Sequence, residues 1–178
     1  MTALRMLAPD RTGLVDQARC IREIVLSHGR YVWRLLRYLG VADRDLDDVC
    51  QEVFTTVHRK LGDVTDEGLQ PWLRSICVNH AKNYRRRAHR HREMLVDEMP
   101  ETVVSASQEE GLVLAQAQAL LLALLDRLDE DWRAIFVLHT VEELPMEQVA
   151  KIVGCPLSTA YFRYRRACAG LENALVNT

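Results

Sequence analysis

Aromatic residues make up only 6% of this 178-residue chain, with 8 glycines and 5 prolines. That is too little aromatic and turn-forming material for a typical all-β chain, and no stretch alternates polar with apolar residues for long. The pattern predicts an all-α fold. Long apolar runs are missing too. The most apolar one, Leu112 to Leu125, is interrupted by Gln116 and Gln118 and is too short to span a bilayer, so it is expected to be a core helix. The N-terminus lacks a charged head followed by an apolar signal core, and no membrane insertion is expected. Five cysteines, Cys20, Cys50, Cys77, Cys155 and Cys168, are scattered without a CxxC pair. An odd, dispersed set predicts free, mostly buried thiols in a reducing cytoplasm. No phosphate loop, nucleophile elbow or metal cluster is present, so neither catalysis nor a cofactor is expected. Cys77, His80, His89 and His91 include two pairs too far apart along one helix to meet at a single zinc ion.

A strong excess of either charge is also lacking: the net charge is −2. The distribution is sharply uneven. Lys82, Arg85, Arg86, Arg87, Arg90 and Arg92 fall within one short window that holds no acid, whereas Glu93 to Gly111 carries six acids and no Lys or Arg. A helix dipole is compensated by one or two cations, so a window this basic predicts a phosphate-binding surface. The acidic stretch, with Pro100 and Ser105 to Ser107, is expected to link two small helical domains, residues 1–92 and 112–178, through a linker at 93–111.

In chain order, residues 1–13 are expected to be a loose arm, followed by a helix from about Leu14 to Leu39 with a possible break near Gly29. Its apolar face holds Ile21, Ile24, Val25, Val32, Leu35, Leu36 and Leu39. Gly40 is a stop signal and Asp43 is placed to cap a second helix, about Asp43 to Leu61. There Leu46, Cys50, Val53 and Val57 define a buried face, and Asp48, Gln51, Glu52, Thr55 and Arg59 the opposite one. After the polar loop 62–68, a helix from about Pro71 to Arg90 turns Leu73, Trp72, Ile76 and Ala81 inward. Arg74, Asn79, Lys82, Asn83, Arg86 and Arg87 lie largely outward. Helices are then expected at Leu112–Leu128 and, capped by Asp129, at Glu130–Val141 with Trp132, Ile135, Phe136 and Leu138 buried.

The last forty residues predict a helix-turn-helix: Leu144 to Val153, a turn at Gly154-Cys155-Pro156, and a helix from Leu157 to Leu175. Ala160, Tyr164, Ala167 and Leu171 share its inner face. Ser158, Phe162, Arg165 and Arg166 point outward, with Tyr161 and Arg163 at the edges. Phe162 is odd on a solvent face and suits a thymine methyl or a protein partner.

These pieces, in this order, resemble the bacterial extracytoplasmic-function (group IV) RNA polymerase sigma factors from about Leu14 to Leu175. DLDDVCQEVF, Asp45 to Phe54, is similar to the family's polymerase-docking helix, which implies that Asp47, Asp48, Gln51 and Glu52, with Thr55 beside them, bind the clamp of the largest catalytic subunit. WLRSICVN, Trp72 to Asn79, resembles the segment that melts and reads the −10 element, implying DNA contacts from Asn79, Lys82, Asn83, Arg86, Arg87 and Arg90. GCPLSTAYFRYRRA, Gly154 to Ala167, resembles the −35 reading helix, implying contacts from Ser158, Thr159, Tyr161, Phe162, Arg163, Arg165 and Arg166. The resemblance also implies base capture by the 62–68 loop and control by an anti-sigma factor. Asn83 stands where the family has Asp, Tyr84 follows it, and Tyr161 and Phe162 replace a polar pair.

The implied partners are therefore core RNA polymerase, promoter DNA and an anti-sigma factor. Two other readings stay open at the level of sequence. One is a stand-alone helix-turn-helix regulator, which would leave the acidic docking face without a role. The other is a sigma-like adaptor that sequesters a protein partner.

Overall fold

A computed structural model describes the backbone of residues 11–61, 68–94 and 109–176, and the side chains of 21–61, 68–89 and 116–175. Among the described residues every regular element is helical. The first unit holds α1 (Arg11–Tyr38), α2 (Leu46–Arg59) and α3 (Leu69–Met94). The second holds α4 (Glu109–Asp126), α5 (Glu130–Phe136), α6 (Met146–Val153) and α7 (Leu157–Val176). Residues 1–10 of the expected arm, the loop at 62–67 and most of the acidic linker lie outside the described residues, as does the side chain of Cys20; residues 11–13, expected in the arm, already belong to α1, and 109–111, expected in the linker, to α4.

α1 runs unbroken through Gly29, contrary to the expected break, because nothing crowds or bends the chain there. It ends at Gly40, where φ is +98°. The Gly40 amide donates to the Arg37 carbonyl at 3.1 Å and the Val41 amide to the Leu36 carbonyl at 3.1 Å, the paired bonds of a glycine-terminated helix end. α6 ends the same way at Gly154, with φ +72°. Asp43 does not cap α2. The turn at Gly40 brings its carboxylate back beside α1, where it accepts from Arg37 Nε at 2.9 Å and Nη2 at 3.1 Å. A short 3-10 turn, Asp43–Asp45, leads into α2 instead.

α2 buries Leu46, Val49, Val53 and Val57. Cys50, expected on this stripe, sits half-buried at its edge, and Val49 takes the central place because α1 and α3 both pack on α2. Val25, expected on the inner face of α1, is exposed. Leu35, Leu36, Leu46 and Leu73 are fully enclosed, each contributing roughly 1.5–3 kcal/mol of burial. α3 extends a turn beyond Arg90, and buries Leu73, Ile76, Cys77, Val78 and Ala81. Trp72, expected inside, is half-buried against this core.

In the second unit, Asp129 caps α5 as expected, its carboxylate accepting from the Asp131 amide at 3.0 Å. α5 continues into a π-helical turn, Val137–Val141, closed by a bond from the Glu142 amide to the Val137 carbonyl at 3.0 Å. Ile135 and Leu138 are buried, while Trp132 and Phe136 are only partly so. α5 and α6 pack against α7 around Ala150, Ala160, Ala167 and Leu171. The three alanines let the helices of the helix-turn-helix approach closely. The two units are also joined: α3 packs on α5 and α6, and the buried residues form one cluster from Ile24 to Leu171.

Candidate functional site

α2 presents its polar face because its apolar stripe is consumed by α1 and α3. Asp47, Asp48, Gln51 and Thr55 are exposed, and Glu52 is half-exposed. With Arg59 and His80, four of these (Asp48, Gln51, Glu52 and Thr55) line an open hollow of about 530 Å³. Glu52 Oε2 accepts from Arg87 Nη2 at 3.3 Å and lies 3.3 Å from His80 Nδ1, so the acidic helix is tied directly to the basic one. Partial burial pushes the Glu52 carboxyl up, but the hydrogen bonds from Arg87 and His80 outweigh it and hold the group below the usual carboxylate range.

On α3, Asn79, Asn83, Arg86 and Arg87 are exposed, as expected, and the Arg90 side chain lies outside the described residues. Arg74 and Lys82 differ from expectation. Arg74 is mostly enclosed and donates to the Tyr31 hydroxyl at 2.8 Å. Lys82 Nζ reaches Asp131 Oδ1 of α5 at 2.7 Å, and Arg86 Nε lies 3.3 Å from Glu130 Oε1. Tyr84 serves the fold, since its hydroxyl donates to Asp45 Oδ2 at 2.6 Å and so fixes the entry to α2.

On α7, Ser158, Tyr161, Phe162, Arg165 and Arg166 face solvent and Thr159 is half-buried. Phe162 is 54% exposed, and the Arg166 guanidinium lies over its ring at 5.4 Å. This pairing joins a cation to a flat apolar surface, the combination that suits nucleobases and phosphates. Tyr164 faces inward, edge-on to His139 and stacked on Phe136. Arg163 Nη2 meets Asp131 Oδ2 at 2.8 Å.

Residues 24–91 match the family model for Sigma-70 region 2, and residues 118–171 that for Sigma-70, region 4. The chain is 30% identical over 143 residues to the ECF RNA polymerase sigma-E factor of Escherichia coli strain K12, covering 75% of each. The chain belongs to the ECF RNA polymerase sigma factors. A second relative, the sigma-E factor of Haemophilus influenzae, is 28% identical over 151 residues, covering 79% of each. The fold matches that of the sigma factor RpoE from Bartonella quintana, solved in complex with the anti-sigma factor NepR. There the TM-score is 0.70, the identity 20%, and the match covers 86% of this chain and 95% of that one.

A sigma factor binds core RNA polymerase and directs promoter-specific initiation, and the two matched regions are the two helical units of the structure. The comparisons support this reading over the stand-alone regulator and the adaptor. Sigma factors as a family are non-catalytic initiation factors. Among the described residues no helix is long and apolar enough to cross a membrane.

Sequence reasoning missed the residues that connect the units. Asp131 receives both Lys82 and Arg163, and these cations hold its carboxyl below the ordinary range although partial burial pushes it up. Arg133 is 1% exposed and sends Nε to the Tyr38 carbonyl at 2.6 Å, Nη2 to the Arg37 carbonyl at 3.3 Å, and Nη1 to Asp126. It thereby serves the last carbonyls of α1, which a helix end leaves unpaired. Burial pulls the Arg133 guanidinium below its usual range, Asp126 partly restoring it and Arg85 adding to the depression. The one signal in the sequence was a lone arginine inside the apolar run from Trp132 to Leu138.

Proposed function

We propose that the region 2 unit, residues 1–92, docks on the clamp of the largest catalytic subunit of RNA polymerase through Asp47, Asp48, Gln51, Glu52 and Thr55. It engages the −10 element through Asn79, Lys82, Asn83, Arg86, Arg87 and Arg90. Phosphates bind the arginines and Lys82, and the amides of Asn79 and Asn83 meet bases exposed by melting. The region 4 unit, residues 112–178, sets α7 in the −35 major groove through Ser158, Thr159, Tyr161, Phe162, Arg163, Arg165 and Arg166. The acidic stretch 93–111 links them and is kept off DNA by its charge. The protein works in the cytoplasm and is controlled by an anti-sigma factor, as the complex of the Bartonella quintana relative suggests.

The observation that carries this assignment is the exposure of an acidic, amide-rich face on α2 beside a basic face on α3, with a second exposed basic face on α7. The test is charge reversal. Asp48→Lys removes an exposed carboxylate, so stability should move by about 0.5 kcal/mol or less, while co-purification with core polymerase is lost. Arg165→Ala with Arg166→Ala should keep core binding and lose initiation that depends on the −35 element. Retained core binding by Asp48→Lys would overturn the docking assignment, and lost core binding by the arginine pair would overturn that of α7.

A further inference from the structure

α7 carries apolar surface on the face it turns to solvent. From Leu157 to Arg166 the exposed side chains are Leu157, Ser158, Tyr161, Phe162, Arg165 and Arg166, with no acid among them. Phe162 is the most open of the three large apolar ones, at 54% against 43% for Tyr161 and 39% for Leu157. Tyr164, on the inner side of the same helix, shows what an aromatic does here when it serves the fold: it stacks on Phe136 and stands edge-on to His139. Phe162 has a different neighbour. The Arg166 guanidinium, one turn on, lies over its ring at 5.4 Å. The stack braces a cation along the helix face and leaves the rest of the ring open.

This strip occupies the first turns of α7, the part of a recognition helix that meets base edges. Phe162 has no hydrogen-bond donor or acceptor, so it can discriminate between bases only by burial. In the major groove the group suited to that is the C5-methyl of thymine. Two arginines without an acid complement a polyanion, which favours duplex DNA over a protein surface as the cover for this strip. We propose that Phe162 is a specificity-determining residue of the −35 contact, packing its ring against the C5-methyl group of a thymine with Arg166 braced beside it against the DNA backbone. The proposal rests on the placing of α7 in the −35 major groove and names the base chemistry read there. Burying one methyl group corresponds to about a fourfold preference for thymine over a base that lacks it.

The test deletes the methyl group and nothing else. Synthetic templates bearing a promoter that core polymerase uses only with this chain are made with deoxyuridine in place of single thymines, on either strand, across the −35 region. Synthetic DNA holds no methylated cytosine, so thymine is the sole source of C5-methyl groups. Run-off initiation at limiting concentrations of the parent chain should fall about fourfold at one or two of these positions. Phe162→Ser, a replacement on the exposed face, should initiate less well than the parent on the thymine template and lose nothing further on the deoxyuridine ones. This cycle isolates the contact between ring and methyl group. A parent indifferent to deoxyuridine at every position would overturn the proposal, as would an equal loss in parent and Phe162→Ser. A Phe162→Ser variant that initiates as well as the parent on every template would overturn it in favour of a protein partner on the ring. The −35 assignment is read separately from Arg165→Ala with Arg166→Ala. If that variant initiates like the parent, the assignment itself has failed; if it loses initiation while deoxyuridine is tolerated, only the thymine contact has.

Discussion

Replacing Gly40 with alanine should destabilise this protein out of proportion to the one methyl added. Gly40 has φ +98°, and a Cβ there would stand 2.8 Å from Arg85 Nη1 and 3.0 Å from both Cζ and Nη1 of Arg133. Backbone strain at positive φ costs an L-residue about 1–2 kcal/mol. The Arg133 guanidinium has no room to retreat, since it is 1% exposed and bonded to the Tyr38 carbonyl at 2.6 Å. Displacing it forfeits at least one hydrogen bond from a charged group, about 1.5–3 kcal/mol. The sum is about 2.5–5 kcal/mol, a fall in melting temperature of roughly 5–20 °C for a chain of this size. Two further glycines separate strain from steric contact. Gly154 has φ +72° with nothing within 4 Å of its added Cβ, so Gly154→Ala should cost only the strain, about 1–2 kcal/mol. Gly29 lies within α1 in open space, so Gly29→Ala should stabilise by about 0.5–1 kcal/mol. Urea unfolding followed by circular dichroism measures all three. Equal losses for Gly40→Ala and Gly154→Ala would mean that Arg133 does not stand against α1 in solution, and the reasoning would fail.

Acid should loosen the fold through Asp131 and Glu52, both held below the ordinary carboxylate range. Such groups add stability that is complete above their unfolded pKa, about 4, and is lost as pH falls through the lower folded values. Their contribution to the melting temperature should therefore be constant from pH 8 to 5 and fade below about pH 4, with a shallower acid loss in Asp131→Asn; identical acid profiles for variant and parent would contradict this. Thiol labelling should be selective. Cys77 is fully buried and its thiol is pushed up by that burial, so iodoacetamide should reach it only on unfolding. Cys50, pushed up to about 11 by burial and by Asp47, should react slowly in the native chain. Rapid native labelling of Cys77 would show that the α1–α2–α3 core opens readily in solution.

Much of the fold was legible because local chemistry and tertiary structure agree. Gly40 and Gly154 end helices where left-handed backbone is needed, Asp129 caps α5, and Ala160 and Ala167 lie under the helix crossing. The exposed polar faces of α2 and α7 were legible for the same reason: a helix with one apolar stripe presents the remainder outward. Contacts across the two units were not. Arg133 looks like an interruption of an apolar stripe until the α1 carbonyls it serves, 95 residues away, are brought beside it. Lys82 and Arg74 sit on a polar face, and only the approach of α5 and of Glu142 turns them from solvent to partners. Periodicity reports which side of a helix is covered, and says nothing of which acid lies opposite. Phe162 is an intermediate case, since its Arg166 neighbour is four residues on, within reach on one helix face.

The most direct measurement is run-off transcription by purified core polymerase on fragmented genomic DNA of the source organism, with and without this chain. Discrete transcripts that appear only when the chain is added, and that Asp48→Lys cannot support, are the predicted result. Core polymerase that gives the same transcripts with and without the chain would contradict the account at its centre.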